Sequence, residues 1–110
     1  MTADLLAVFT TVAEQDQADA IARAAVEQGL AACVQTDVVR SSYCWQGDLV
    51  CEDEVRLMFK TDRSHYAALE ALLRQQHPYE LPAIYALPVL DATPDYVAWV
   101  RASLAPGAAR

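Results

Sequence analysis

Apolar residues first cluster without alternation, in Leu5-Leu6-Ala7-Val8-Phe9-Thr10, as in a strand buried on both faces. The period then becomes helical. Ala18, Ile21, Ala22, Ala25 and Val26 recur at i, i+3, i+4, i+7 and i+8 and form one apolar stripe. Gly29 follows where a left-handed residue would end that helix. Over residues 30–45 the period falls to two, with Val34, Thr36 and Val38 on one face and Tyr43 and Trp45 on the other. Gln46-Gly47-Asp48 breaks the run as a tight hairpin turn. The return strand sets Val55, Leu57 and Phe59 on an inner face and Glu54, Arg56, Met58 and Lys60 on a polar outer one.

A second helical stripe, Tyr66, Leu69, Leu72 and Leu73, spans residues 64–76 with Ser64 as its expected N-cap. His77-Pro78 ends it, because the residue before proline is pushed out of the α region. Residues 84–90 read as a last main strand. Pro88 cannot donate a ladder hydrogen bond, which places this strand at an edge or beside a bulge. Thr93-Pro94-Asp95 opens a short helix with Val97, Val100 and Leu104 inward, and residues 105–110 read as a frayed tail.

The predicted order is β-α-β-β-α-β with a C-terminal helix. This is the split βαβ arrangement: an α+β, ferredoxin-like fold with an antiparallel sheet and both main helices on one face. Residues 1–110 are expected to form one domain, as the length suggests. Apolar residues make up 55% of the chain, above the usual ~45–50%. The hairpin over residues 30–61 is longer than two short helices can cover, so self-association is expected to complete its burial.

A net charge of −7 argues against nucleic acid and against anionic membrane surfaces as partners. No apolar run approaches the ~20 residues of a membrane span, and the start carries Asp4 where a secretory signal needs basic residues. Three cysteines cannot all pair within one chain and suit a reducing compartment, so cytoplasm is expected.

Candidate chemistry is sparse. His77 is a possible imidazole ligand for copper or zinc, and Glu80 could add an oxygen. If Gly47-Asp48 is the two-residue turn, Cys44 and Cys51 stand directly opposite, able to take a soft metal or oxidise. A turn shifted by one residue is expected to send them to opposite faces. Cys33 reads as core. Arg40, Tyr43, Trp45, Lys60, Tyr79 and Glu80 mix aromatic bodies with charged tips, as suits a cleft or a subunit interface. Glu52, Asp53 and Glu54 read as a solvated acidic stretch, and nothing in the sequence brings Asp62 near them. No nucleophile triad spacing, phosphate-binding loop or nucleotide fingerprint is present, and three glycines are too few for a phosphate cradle. An enzyme is not expected, and no cofactor is required.

Several segments carry a family resemblance, in order. They are Gly29-Leu30-Ala31-Ala32-Cys33, Arg40-Ser41-Ser42-Tyr43-Cys44-Trp45-Gln46-Gly47, Phe59-Lys60-Thr61, His77-Pro78-Tyr79-Glu80-Leu81-Pro82, Ala86-Leu87-Pro88-Val89 and Pro94-Asp95-Tyr96 with Trp99. Together, over about residues 5–104, they resemble the CutA divalent-cation tolerance family. The resemblance implies a compact homotrimer, related in fold to PII-type signalling proteins, with a link to copper and other divalent metals. It also shows departures: Thr10 stands where some relatives carry cysteine, Gln76 where some carry a second histidine, and Ala83 where an acid is usual. These leave weak metal uptake centred on His77 as the expectation. The alternative function is a PII-like regulator holding a small molecule between subunits, through Arg40 or Lys60 if the ligand is an anion.

Overall fold

The structure, a computed structural model, describes residues 4–106. The residues after Pro106 in the expected frayed tail lie outside that range. The alternating and helical segments resolve into β1 (Leu5–Val12), α1 (Gln15–Glu27), β2 (Cys33–Trp45), β3 (Asp48–Asp62), α2 (Arg63–Gln76), β4 (Tyr85–Pro88) and α3 (Pro94–Ser103). One sheet has the order β2-β3-β1-β4, with every neighbouring pair antiparallel. This is the ferredoxin-like α+β arrangement that the element order predicts.

The two faces of the sheet follow from register. Val8 pairs with Phe59 and Val34 with Phe59, so these alternate positions share the face that α1 and α2 cover. There Val8, Leu57, Phe59, Ile21, Leu69 and Leu73 are almost wholly buried in one core. Val26 departs from the expected stripe: it is 45% exposed, while Ala18, Ile21 and Ala25 are buried. Leu5 alternates to the opposite face, where it packs with Val100 and Leu104 of the α3 region in a second, smaller core.

Two local expectations need correction. Asp62, not Ser64, caps α2: β3 runs into the helix without a loop, and the Asp62 carboxylate accepts the His65 backbone N–H. The hairpin turn is Gln46-Gly47, since Trp45 pairs with Asp48 and both turn residues have positive φ, 51° and 88°. That is the pattern of a type I′ turn, whose twist matches the strands. Pro88 lies on an edge strand, β4, as its missing N–H requires.

Gly29 has φ +68° and follows the α1 C-cap. Its carbonyl accepts the Ala105 N–H at 2.8 Å, and a Cβ there would stand 2.6 Å from that nitrogen. Only glycine permits both the conformation and the approach.

β1 ends where Val12 meets Val55, so the hairpin beyond that point has no third strand and projects as a two-stranded arm. The molecule is accordingly 45 Å long but only 26 by 21 Å across.

Candidate functional site

The arm and the loop after α2 enclose a cleft of about 510 Å³. Strand alternation puts Tyr43 and Trp45 of β2 on the face opposite α1 and α2 together with Glu52 and Glu54 of β3. Pro78 turns the chain after α2, and Tyr79, Glu80, Leu81 and Ala83 close the other side. Two tyrosine–carboxylate bonds organise the walls. The Tyr43 hydroxyl donates to Glu52 Oε1 at 2.6 Å, and the Tyr79 hydroxyl donates to Glu54 Oε2 at 2.7 Å. The bond to Glu52 is the main reason the Tyr43 phenol is pushed up to about 12. Burial, then Glu54, pushes Tyr79 up as well. Both phenols therefore stay protonated at neutral pH, as donors and not bases.

The expectation that Glu52, Asp53 and Glu54 form a solvated stretch fails for Glu54, which is 6% exposed beneath Tyr79. Asp53 alternates to the other face. There it forms an exposed ion pair with Arg40 at 3.1 Å, so Arg40 stands apart from the cleft of its own chain. Lys60 lies eight residues along β3 from Glu52, roughly 26 Å at strand spacing, beside Ala7 and Cys33. Of the sequence-derived set, one chain brings together Tyr43, Trp45, Tyr79 and Glu80. The structure adds Glu52 and Glu54. Their alternation with Tyr43 was readable, but the path of the loop over them was not.

His77 is spent on backbone. Its Nδ1 accepts the Tyr79 N–H at 3.1 Å, and its Nε2 lies 2.9 Å from the Thr11 carbonyl and 3.0 Å from Thr10 Oγ1. A backbone N–H only donates and a carbonyl only accepts, so the ring is the neutral Nε2–H tautomer. Neither nitrogen offers a free lone pair, which corrects the reading of His77 as a metal ligand in this conformation. Glu80 lines the cleft and His77 does not. Among the described residues no group of three or more His, Cys, Asp or Glu is gathered to hold a metal ion.

The thiol expectation is also revised. Cys44 opposes Leu49 and Cys51 opposes Ser42, whose hydroxyl is 3.4 Å from the Cys51 sulfur. Moving the turn by one residue shifts the pairing by two positions. The cysteines therefore keep one face but become diagonal neighbours, neither opposite nor on different faces.

Chemically, the cleft joins aromatic walls to the carboxylates of Glu52, Glu54 and Glu80, with no cationic side chain among the described residues of its lining. Such a surface favours cations over anions. Fold and site define a small α+β protein whose sheet carries an acidic, aromatic cleft beside a projecting arm. The family model described as CutA1 divalent ion tolerance protein matches residues 6–103, and the chain belongs to that family. The divalent-cation tolerance protein CutA of Pectobacterium atrosepticum is 39% identical over 102 residues, covering 92% of this chain and 93% of that protein. The structure of CutA from Synechococcus elongatus PCC7942 superposes with a TM-score of 0.91 at 42% identity, covering 94% of this chain and 92% of that one. CutA1 from the psychrotrophic bacterium Shewanella sp. SIB1 gives 0.88 at 36% identity, covering 92% and 95%.

Proposed function

We propose that the protein serves divalent-cation tolerance as a non-enzymatic, cytoplasmic homotrimer of PII-like architecture. The observation that carries this reading is the part of the sheet face opposite α1 and α2 that lies beyond the α3 core and stays uncovered. Phe9 stacks on Tyr85 at 5.4 Å with Arg56 over its ring, Tyr85 and Leu87 are about half exposed at 49% and 51%, and the arm offers Tyr43 and Trp45 beyond them. A projecting arm with aromatic residues suits a neighbour that completes the core. Copper or another divalent ion is taken weakly, through carboxylates from more than one chain. Three cysteines, which cannot all pair within one chain, suit a reducing compartment.

Light scattering at micromolar concentration is expected to give three chains per particle, and Trp45→Ala to lower that mass or the trimer's stability. A monomeric parent protein would sink the proposal. A second reading, a small molecule between subunits, is favoured by the cleft lining but points to a cation and not an anion. Titration with an alkylammonium ion and with inorganic phosphate separates the two: saturable heat with phosphate alone would return Arg40 and Lys60 to the site.

A further inference from the structure

Asp62, His65 and Ala105 join three elements outside the cleft. Asp62 ends β3 and caps α2, His65 lies in the first turn of α2, and Ala105 follows α3. Asp62 Oδ1 accepts the His65 backbone N–H at 3.1 Å and the Ser64 hydroxyl at 2.9 Å. The same oxygen is 2.6 Å from His65 Nδ1, with Ser64 Oγ 3.1 Å from that nitrogen, and Nε2 is 2.7 Å from the Ala105 carbonyl. A carbonyl only accepts, so Nε2 carries a proton; an ionised carboxylate only accepts, so Nδ1 carries one too. With Asp62 ionised the ring is an imidazolium, 7% exposed, and Asp62 at 6% is its buried counter-charge.

Ala105 also donates its N–H to Gly29, and the adjoining Leu104 is buried with Leu5 and Val100. We propose that His65 is a proton-operated latch for the C-terminal segment, closed while the ring carries both protons and released when it loses one. A neutral ring has one donor. If it keeps Nε2–H, the Nδ1 lone pair faces the Asp62 carboxylate; if it keeps Nδ1–H, the Nε2 lone pair faces the Ala105 carbonyl. Asp62 also holds the α2 N-terminus, so the contact that yields is the one to Ala105. Its release loosens Leu104 over the smaller core.

The surrounding charges come from each packed element. Asp4 before β1, Arg63 on α2 and Arg101 on α3 line a hollow of about 200 Å³ with Asp62 and Ser64. Glu27 ends α1, the helix whose turn receives Ala105. Burial pushes the His65 imidazole down, but the Ala105 carbonyl and the Asp62 carboxylate outweigh it, and the group titrates above 6.5. Burial likewise raises Asp62, but its bonds from His65 and Ser64 bring it below the usual carboxylate value. For a raised folded value, the stabilisation is full below 6.5 and is lost as pH rises through the folded midpoint. On the acid side it is lost only as pH falls through the depressed Asp62 value. The latch therefore opens toward alkaline pH.

The test is a nitrogen-15 NMR titration of the histidines in the intact protein, with amide exchange at Ala105 corrected for its intrinsic rate. Expected are two protonated His65 nitrogens at about pH 6, a midpoint above 6.5, and a fall in Ala105 protection of about tenfold across that midpoint. Asp62→Asn should lower the midpoint and carry the loss of protection with it. His65→Gln, which keeps a donor that does not titrate, should hold Ala105 protected throughout. A midpoint at or below 6.5, a single protonated nitrogen, or protection that ignores the midpoint overturns the latch; so does a loss that persists in His65→Gln.

Discussion

The Tyr79 hydroxyl meets Glu54 Oε2 at 2.7 Å, tying the loop after α2 to the base of the hairpin arm. Glu54 is 6% exposed, so its carboxylate has little water to replace that donor. Tyr79→Phe removes the donor and keeps the ring. The expected loss is about 1–3 kcal/mol, the cost of leaving a buried polar group unmatched. Urea unfolding at one fixed protein concentration measures it. Tyr43→Phe should cost less, because Glu52 is more open to solvent. Equal effects would mean that the burial of Glu54 does not matter.

Gly29 and Gly47 both have positive φ, but only Gly29 is crowded. Gly47→Ala adds a Cβ with nothing within 4 Å and should cost about 1 kcal/mol, the strain of the left-handed region. Gly29→Ala adds the same strain and drives a Cβ to 2.6 Å from the Ala105 backbone. Its expected cost is about 2 kcal/mol or more. Thermal unfolding of the two variants side by side decides the point. A Gly29→Ala protein as stable as Gly47→Ala would show that the Ala105 segment yields freely.

Alternation and helical stripes made the strands, both faces of the sheet, α2 and the edge position of Pro88 legible. They record which way a side chain points. What they do not record is which distant backbone comes to meet it. Glu54 reads as a surface acid until Tyr79 is folded over it, and nothing in the sequence marks His65 until Ala105 docks on its ring. Asp62 is dismissed for want of a neighbour, because its partners lie in the helix it caps. His77 stands out by residue type and by its place before Pro78; backbone partners at residues 11 and 79 turn it from a ligand into a fastener. The sequence leaves the register open because Gly47-Asp48 and Gln46-Gly47 both offer turn chemistry, and glutamine at φ 51° is not a signal that composition supplies.

That one-residue difference has a redox consequence. Diagonal neighbours across a strand pair have α-carbons roughly 7–8 Å apart, beyond the ~4.4–6.8 Å usual for a disulfide. Treatment with a mild oxidant should therefore leave Cys44 and Cys51 without an intrachain bond. Peptide mapping without reduction is the check. A crosslinked Cys44–Cys51 peptide in good yield would show that the hairpin adopts the other register.

The two histidines should give stability opposite pH slopes. His65 sits between two acceptors and is held charged; His77 sits between a donor and an acceptor and is held neutral. Burial pushes His77 down, and although the Thr11 carbonyl and Glu54 push the other way, the group titrates below 6.5. Protonating Nδ1 would aim a second hydrogen at the Tyr79 N–H and open the loop that carries Tyr79. For a histidine depressed in the fold, the unfolded chain binds more protons, so stability is full above 6.5 and falls as pH drops through that value toward the folded one. Unfolding free energy measured from about pH 8 to about pH 5 should decline on the acid side. His77→Gln, though less stable throughout, should lose that acid-side slope and keep the alkaline decline that belongs to His65. The same samples address metal: equimolar Zn²⁺ should leave the His77 ring resonances in place, because both nitrogens are engaged. Selective loss or shift of those resonances, with an unchanged acid slope in His77→Gln, would restore His77 as a ligand and remove it as the loop's fastener.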